Sequence, residues 1–384
     1  MTTIAILTTG RQDWGILHST AVAIRAHPDL ELRLLVGGTH LSARHGRTID
    51  EVRSDGFEPD VVLSWPEDDD ASTDPPAVTQ AATTLDAVGA ALRQAPPDAL
   101  LLVGDRLETA AAALAATLER VPIIHLHGGE QTLGAFDDAL RHAITKLSHL
   151  HLVSHEEHAR RVVAMGEDPA SVHVVGAPGL DAAVREDLPS RTDLARHLGL
   201  ELDPPLVVVT VHPTTLEQDP SAAAAAVIAA MDVVEATYVV TLPNADPGGD
   251  AVRELLEAAA ARPGRVAVDA LGERRYWGLL RIADAMLGNS SSAIIEAPAV
   301  DLPAVDVGDR QAGRRAGPNV LHAPADPQRV TEALREALEP ATRARVAAVR
   351  PALADGLAGR RIADIIAAWR PPKPPRKPPI TVPR

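Results

Sequence analysis

Proton-transfer chemistry needs carboxylates and imidazoles within reach of one another, and one stretch of this sequence supplies both. Glu130, Asp137 and Asp138 fall within nine residues, with His125 and His127 just before them and Arg141 and His142 just after. On a helix starting at Asp138, that carboxylate faces Arg141 and His142, three and four positions along. Such a cluster can move a proton on or off carbon or oxygen. Two plainer uses of the same residues stay open. His125 and His127 alternate on a strand and, with Glu130, could ligate a cation. The set could also be a buried network of ion pairs. Upstream, Gly104-Asp105-Arg106 adds another carboxylate, which could instead cap the next helix.

A second group of residues suits a phosphate or diphosphate. Thr8-Thr9-Gly10-Arg11 closes the first apolar run, with a glycine for a tight turn and a forked guanidinium at the start of the next helix. No GxGxxG fingerprint follows it, which counts against a nicotinamide dinucleotide. Gly288-Asn289-Ser290-Ser291-Ser292 is a small-residue turn opening a helix, a form that can cradle a diphosphate. Glu296 lies on the first turns of that helix, where a carboxylate can accept both ribose hydroxyls. Arg310 and Arg314 are further phosphate partners, and His40 and His212 each follow a strand. Each of these features, taken alone, also reads as an ordinary turn, cap or core histidine.

Such residues need strands to end at them. Short apolar runs alternate with Ala/Leu-rich helical stretches along the 384 residues. Strands are expected at Ile4–Leu7, Leu32–Val36, Ala99–Val103, Pro122–Leu126, Leu150–Val153 and Val172–Val175. A second series covers Leu206–Val211, Tyr238–Leu242, Arg265–Val268, Ala285–Leu287, Ala304–Val307 and Val320–His322. Continuous apolar runs are the mark of parallel strands covered on both faces. The expected fold is therefore α/β, with two Rossmann-like, doubly wound parallel-sheet domains, and ligands beyond the carboxyl ends of the strands. Residues 1–178 would form the first domain and 179–352 the second. Gly176–Arg196 reads as a crossover and Pro66–Pro76 as an exposed acidic loop. The Pro-rich tail, residues 371–384, carries four positive charges and is expected to be disordered.

Composition narrows the function. The formal net charge is −15 and aromatics are 2% of residues, so neither a basic footprint nor a stacking platform for nucleic acid is present. Cysteine is absent, which excludes disulfides and thiolate-bound metal. The N-terminal residues have no secretory-signal pattern, and no apolar run reaches the roughly 20 residues that span a bilayer. A soluble cytoplasmic protein, without membrane or nucleic-acid partners, is the expectation.

Read together, the motifs carry a resemblance. Thr9–Gly15, Gly38–Leu41, Gly104–Arg106, His127–Glu130, Asp137–Lys146, His212-Pro213, Pro243–Asp246, Gly288–Ser292 and Gly308–Gln311 occur in an order that resembles the UDP-N-acetylglucosamine 2-epimerases, over roughly residues 3–325. His127-Gly128-Gly129-Glu130 and Leu140–His151 are most diagnostic, and they resemble the hydrolysing branch rather than the HVEAG and HRREN patterns of the non-hydrolysing one. The resemblance implies a GT-B-like pair of domains facing across a cleft, with a last helix, within residues 353–370, crossing back to the first domain. It implies conversion of UDP-GlcNAc and water to ManNAc and UDP, through loss of the C2 proton, expulsion of UDP, and hydration of a 2-acetamidoglucal. Carried over residue by residue, Asp105, Glu130, Asp138 and His212 are the expected catalytic groups. Arg11, His40, Arg106, Asp137 and Arg141 would orient sugar or diphosphate, and Asn289, Ser290, Ser291, Glu296 and Arg310 would bind UDP. No cofactor and no metal are implied, and a homodimer or homotetramer is.

The pattern is not matched everywhere. Gln12 stands where the family has a small residue, Leu242 precedes Pro243 where an aromatic is common, and Arg274-Arg275 occupy the segment expected near uracil. The same chemistry on UDP-N,N′-diacetylbacillosamine is therefore an open alternative. A GT-B glycosyltransferase, or a non-catalytic UDP-sugar sensor, fits the nucleotide residues but leaves the acid cluster without a use.

Overall fold

Thirteen strands in two parallel sheets organise the residues that the computed structural model describes, 1–42, 47–63, 76–131, 137–213, 221–243, 249–269, 271–312, 316–348 and 353–377. The chain divides into two units, Met1–Asp181 with Asp355–Arg384, and Ala182–Ala354. In chain order the first unit has β1 (Thr2–Thr8), α1 (Arg11–Ala26), β2 (Leu30–Val36), α2 (Ile49–Ser54), β3 (Val61–Val62), α3 (Ala77–Gln94), β4 (Ala99–Val103), α4 (Leu107–Leu118), β5 (Ile123–Leu126), α5 (Asp137–Leu147), β6 (Leu150–Val153), α6 (Glu156–Ala164) and β7 (Val172–Val174). The second has α7 (Arg191–Leu198), β8 (Leu206–Thr210), α8 (Ala222–Val233), β9 (Thr237–Thr241), α9 (Gly249–Ala260), β10 (Arg265–Val268), α10 (Glu273–Ile282), β11 (Ala285–Gly288), α11 (Ser292–Ile295), β12 (Ala304–Val307), β13 (Val320–Ala323), α12 (Pro327–Ala337) and α13 (Pro340–Ala347). The final helix, α14 (Ala358–Ala368), belongs to the first unit.

The first sheet runs β3-β2-β1-β4-β5-β6-β7, all parallel. Every residue of β4 and β5 is buried, which is why β4 reads as an unbroken apolar run and β5 as one interrupted only by His125. Trp14, Leu17 and Ile24 of α1 and Ile362 and Ile366 of α14 share one core layer, against Ile4, Ile6 and Leu101 of the strands. Val88 and Leu92 of α3, Ala112 and Ala116 of α4 and Ile144 of α5 form the other. The second sheet runs β10-β9-β8-β11-β12-β13, with its own core of Val207, Val209, Val227, Leu256, Leu287 and Leu334.

Three local features differ from sequence expectation or sharpen it. The edge strand β3 is two residues long, too short for any periodicity to reveal. α14 starts at Ala358 rather than Leu353, because the Asp181 carboxylate accepts the N–H groups of Ala358 (3.1 Å) and Gly359 (2.7 Å) and so caps it. The expectation of a disordered tail from residue 371 is corrected. Residues 371–377 lie along the first unit, with Lys373 Nζ 2.6 Å from Asp98 and Lys377 Nζ 2.5 Å from the buried Glu167 carboxylate. Two lysines meeting fixed carboxylates supply the anchor that polyproline sequence alone lacks. Residues 378–384 lie outside the described residues.

Candidate active site

Chain order reverses within each sheet at one place, between β1 and β4 in the first and between β8 and β11 in the second. Neighbouring strands there send their connections to opposite faces and leave a crevice at their carboxyl ends. Gly10 and Arg11 follow β1 and Asp105 and Arg106 follow β4. His212 follows β8 and Asn289 follows β11. Residues nearly a hundred positions apart are thereby juxtaposed: a methyl placed on Gly10 would lie 2.8 Å from Thr39 Oγ1 and 3.5 Å from Arg106 Nη1.

Arg141 is the centre of the first unit's acidic cluster. It is buried on α5, and its guanidinium donates to the Asp105 carboxylate while its Nη1 lies 3.5 Å from Glu130 Oε2. Glu130 Oε1 lies 2.6 Å from His127 Nδ1 and accepts a hydrogen bond from Ser154 Oγ at 2.8 Å, with His158 Nδ1 at 3.9 Å. Burial alone would push the Glu130 carboxyl up. The charge and hydrogen bond of His127, then the charges of Arg141 and His158, outweigh it and hold the group down at about 2. Asp137 begins α5, where burial and then the Asp105 carboxylate push its carboxyl up. Asp138 pairs one turn along with His142 at 3.5 Å.

A tight turn aims His127. Its φ is +65°, so the ring leaves the alternation that β5 would otherwise continue. Gly129 follows with φ +77°, and a Cβ there would lie 2.5 Å from the His158 carbonyl oxygen. His125 and His127 take different partners. His125 is fully buried, with Nδ1 3.1 Å from Thr145 Oγ1 and Nε2 2.9 Å from the Gly104 carbonyl, and burial pushes it down to about 3. With both nitrogens engaged it is not available to a cation. Among the described residues, no three His, Cys, Asp or Glu side chains are grouped to hold a metal.

The loops beside this cluster are charged. Arg106 pairs with Glu108 through Nε (3.3 Å) and Nη2 (3.1 Å), and Arg11 lies 3.8 Å from Glu51. Asp13 is buried and accepts from the N–H and hydroxyl of Thr9 (3.1 and 2.7 Å), which stiffens the turn at Gly10. His40 must be corrected. It is 0% exposed, with Nε2 2.8 Å from Thr8 Oγ1 and Nδ1 2.8 Å from Thr48 Oγ1, and burial pushes it down to about 4. It ties β1 to the segment before α2 and presents no atom to a substrate.

At the second switch point Asn289 is 1% exposed and also differs from expectation. Its amide accepts from the His212 N–H (2.8 Å) and donates to the His212 carbonyl (2.9 Å), so it clamps the β8 loop rather than facing a nucleotide. The Asn289 carbonyl accepts from Arg310 (3.1 Å) and Gln311 (2.8 Å). Gly288 has φ +140°, and a Cβ there would meet the Thr210 carbonyl oxygen at 1.9 Å. Ser290 is buried with Oγ 3.3 Å from the Ser292 nitrogen, and Ser291 stands at the N-cap position of α11, without a side-chain capping bond, ahead of Glu296. Tyr276, not anticipated, brings its hydroxyl 2.6 Å from Ser292 Oγ. Burial and then the Glu296 charge push the phenol upward. Arg274 of α10 is held by Asp187 (2.6 Å to its carbonyl), not left open on a loop. Asn244–Asp246 and Arg314 lie outside the described residues.

Sequence reasoning grouped His127 with Glu130 but missed Ser154 and His158, the other partners of that carboxylate. For His127 the signal was present in its spacing of three from Glu130 with glycines between. The other two come from a neighbouring strand end that only the sheet brings close.

Two doubly wound parallel sheets with polar loops at their switch points place the chain in the GT-B-like class of α/β folds. The family model for UDP-N-acetylglucosamine 2-epimerase matches residues 22–367, and the chain belongs to that family. It is 33% identical over 348 residues to a UDP-N,N′-diacetylbacillosamine 2-epimerase (hydrolyzing) of Legionella pneumophila, covering 87% of this chain and 88% of the relative. To a UDP-N-acetylglucosamine 2-epimerase of Neisseria meningitidis it is 32% identical over 339 residues, 88% of each chain. A crystal structure of UDP-GlcNAc 2-epimerase from Neisseria meningitidis bound to UDP-GlcNAc superposes with a TM-score of 0.75 at 15% identity, covering 96% of this chain and 100% of that one. At that identity the likeness speaks for the fold. Among the described residues no helix is long and apolar enough to cross a membrane.

Proposed function

We propose that the chain is a hydrolysing 2-epimerase of a UDP-linked 2-acetamido sugar, turning UDP-GlcNAc and water into ManNAc and UDP. One observation carries the reading: Arg141 joins Asp105 and Glu130 at the carboxyl edge of the first sheet, with Asp137 and Asp138 at the adjacent helix start. A sugar transferase needs one base, whereas removing a C2 proton from one face and returning one to the other needs at least two proton-transfer groups. In this reading the first unit works on the sugar: Asp105, Asp138 and the Glu130 cluster handle protons, and Arg11, Arg106, Asp137 and Arg141 orient the substrate. In the second unit His212, Ser290, Ser291, Glu296 and Arg310 serve the UDP moiety, and Asn289 acts by holding the His212 loop. Stabilisation of charge on the departing diphosphate is the largest single contribution such a site can make.

The test is proton NMR of purified protein with UDP-GlcNAc in D₂O. ManNAc deuterated at C2, formed with UDP, is the expected product. UDP-ManNAc would move the chain to the non-hydrolysing branch, and no turnover with UDP bound would leave only a nucleotide site. UDP-N,N′-diacetylbacillosamine is the second substrate to test, because the Legionella pneumophila relative is named for it. We further propose a cytoplasmic homo-oligomer, on the family resemblance, with sedimentation velocity as its check.

A further inference from the structure

We propose that His127, and not Glu130, is the base that removes the sugar C2 proton, with Glu130 as the positioning residue that holds its ring. The proposal rests on the epimerase reading and deepens it. Glu130 is one of the expected catalytic carboxylates, yet its surroundings suit it poorly to the work of a base. Oε1 already meets His127 Nδ1 at 2.6 Å and Ser154 Oγ at 2.8 Å, and Oε2 faces Arg141 at 3.5 Å. A carboxylate whose oxygens already face these partners is held below its ordinary range and is a weak base toward carbon.

The same contacts prepare His127. An ionised carboxylate only accepts hydrogen bonds, so the hydrogen between Glu130 Oε1 and His127 Nδ1 sits on the nitrogen. In the neutral ring the lone pair is then on Nε2. That atom is buried and meets no hydrogen-bond partner among the described residues. A buried imidazole nitrogen without a partner is costly unless a ligand supplies one. The turn at φ +65°, with the Gly129 backbone packed on His158, fixes the ring's direction. Carboxylate, imidazole Nδ1–H and unpartnered Nε2 form the arrangement by which a buried acid orients a histidine base and stabilises the imidazolium it becomes.

In the step, the Nε2 lone pair takes the C2 hydrogen as a proton. The C2–H electron pair becomes the C1=C2 π bond, and the C1–O pair leaves with the β-phosphate of UDP. His127 later returns its proton to solvent. Water adds to C1 of the glycal, and the proton entering C2 from the opposite face comes from a different group. Among the described residues, the charged or titratable groups around His127 are Glu130 on its own loop, His158 on α6 and His125 on β5, with Arg141 of α5 on the far side of Glu130.

The test uses the full chain, His127→Asn and Glu130→Gln, with asparagine chosen because it tolerates positive φ. Each is given UDP-GlcNAc and, separately, 2-acetamidoglucal with UDP. His127→Asn should lose UDP release by roughly 10²–10⁴-fold, keep wild-type UDP affinity and still hydrate the supplied glycal. Glu130→Gln should retain measurable release, with the acid limb of kcat/KM moved to lower pH because the imidazolium has lost its counter-charge. Near-wild-type release by His127→Asn overturns the proposal, and so does loss of glycal hydration in parallel with release while UDP still binds. Should His127→Asn fail to bind UDP, Glu130→Gln decides: a surviving, shifted acid limb supports the proposal, and complete loss of C2 exchange overturns it. A wild-type chain that releases no UDP from UDP-GlcNAc or from UDP-N,N′-diacetylbacillosamine overturns the epimerase reading itself, and this proposal with it.

Discussion

Arg141 neutralises two carboxylates at once, and no other described side chain touches both Asp105 and Glu130. Its side chain is only 8% exposed, so Arg141→Met would leave two partly buried carboxylates facing each other without a cation. The expected cost is about 3 kcal/mol of stability, at the low end for a broken buried pair because Glu130 keeps His127 and Ser154. Arg141→Lys keeps the charge but loses the planar fork, and turnover should fall about 10–100-fold with UDP affinity unchanged. Urea unfolding of the first variant and kcat with UDP affinity for the second are the measurements. An Arg141→Met protein as stable as wild type would show that the two carboxylates do not need their shared partner.

The turn between β11 and α11 is held by close backbone approach as well as by side chains. At Gly288 any Cβ meets the Thr210 carbonyl oxygen of β8 at 1.9 Å, and the φ of +140° belongs to glycine. Gly288→Ala must therefore push apart the paired strands β8 and β11, at the point where the His212 and Ser290 loops begin. A loss of about 3 kcal/mol or more is expected, with UDP binding lost in the same variant. Calorimetry with UDP titration reads both. Retained UDP affinity would mean the second switch point is not the nucleotide site. The same reasoning explains why this loop was legible early. A run of small residues after an apolar strand marks a turn from sequence alone, whereas the commitment of Asn289 to the His212 backbone depends on a partner 77 positions away.

Across the molecule, Glu167 gathers separate segments of the chain. It lies between α6 and β7, 1% exposed, and meets Lys146 of α5 (2.6 Å), His151 of β6 (3.1 Å) and Lys377 of the C-terminal segment (2.5 Å). Burial opposes its charge, but the hydrogen bonds of His151, Lys146 and Lys377 hold it down at about 2. Its folded value thus lies below the unfolded one, so its stabilisation is complete above about pH 4.5 and is lost as pH falls toward 2. Glu167→Gln should cost roughly 3 kcal/mol at pH 7, and that difference from wild type should shrink across this window. A pH-independent difference in denaturant midpoints would show that packing, not charge, is what the residue contributes. The amino-acid sequence by itself determined the alternation of strand and helix, two sheets' worth of parallel strands, and the loops on which polar chemistry falls, because burial on both faces and glycine turns leave local marks. Only the tertiary structure decided which loops meet. The strand order sets β1 beside β4 and β8 beside β11, and nothing local encodes a crossover. It also decided which way side chains point. His40 and His212 both follow strands, yet His40 is sealed in the core, and His127 meets Glu130 where His125 meets Thr145 and the Gly104 carbonyl. Direction follows from backbone dihedrals and burial, which are settled by packing against residues distant in the chain.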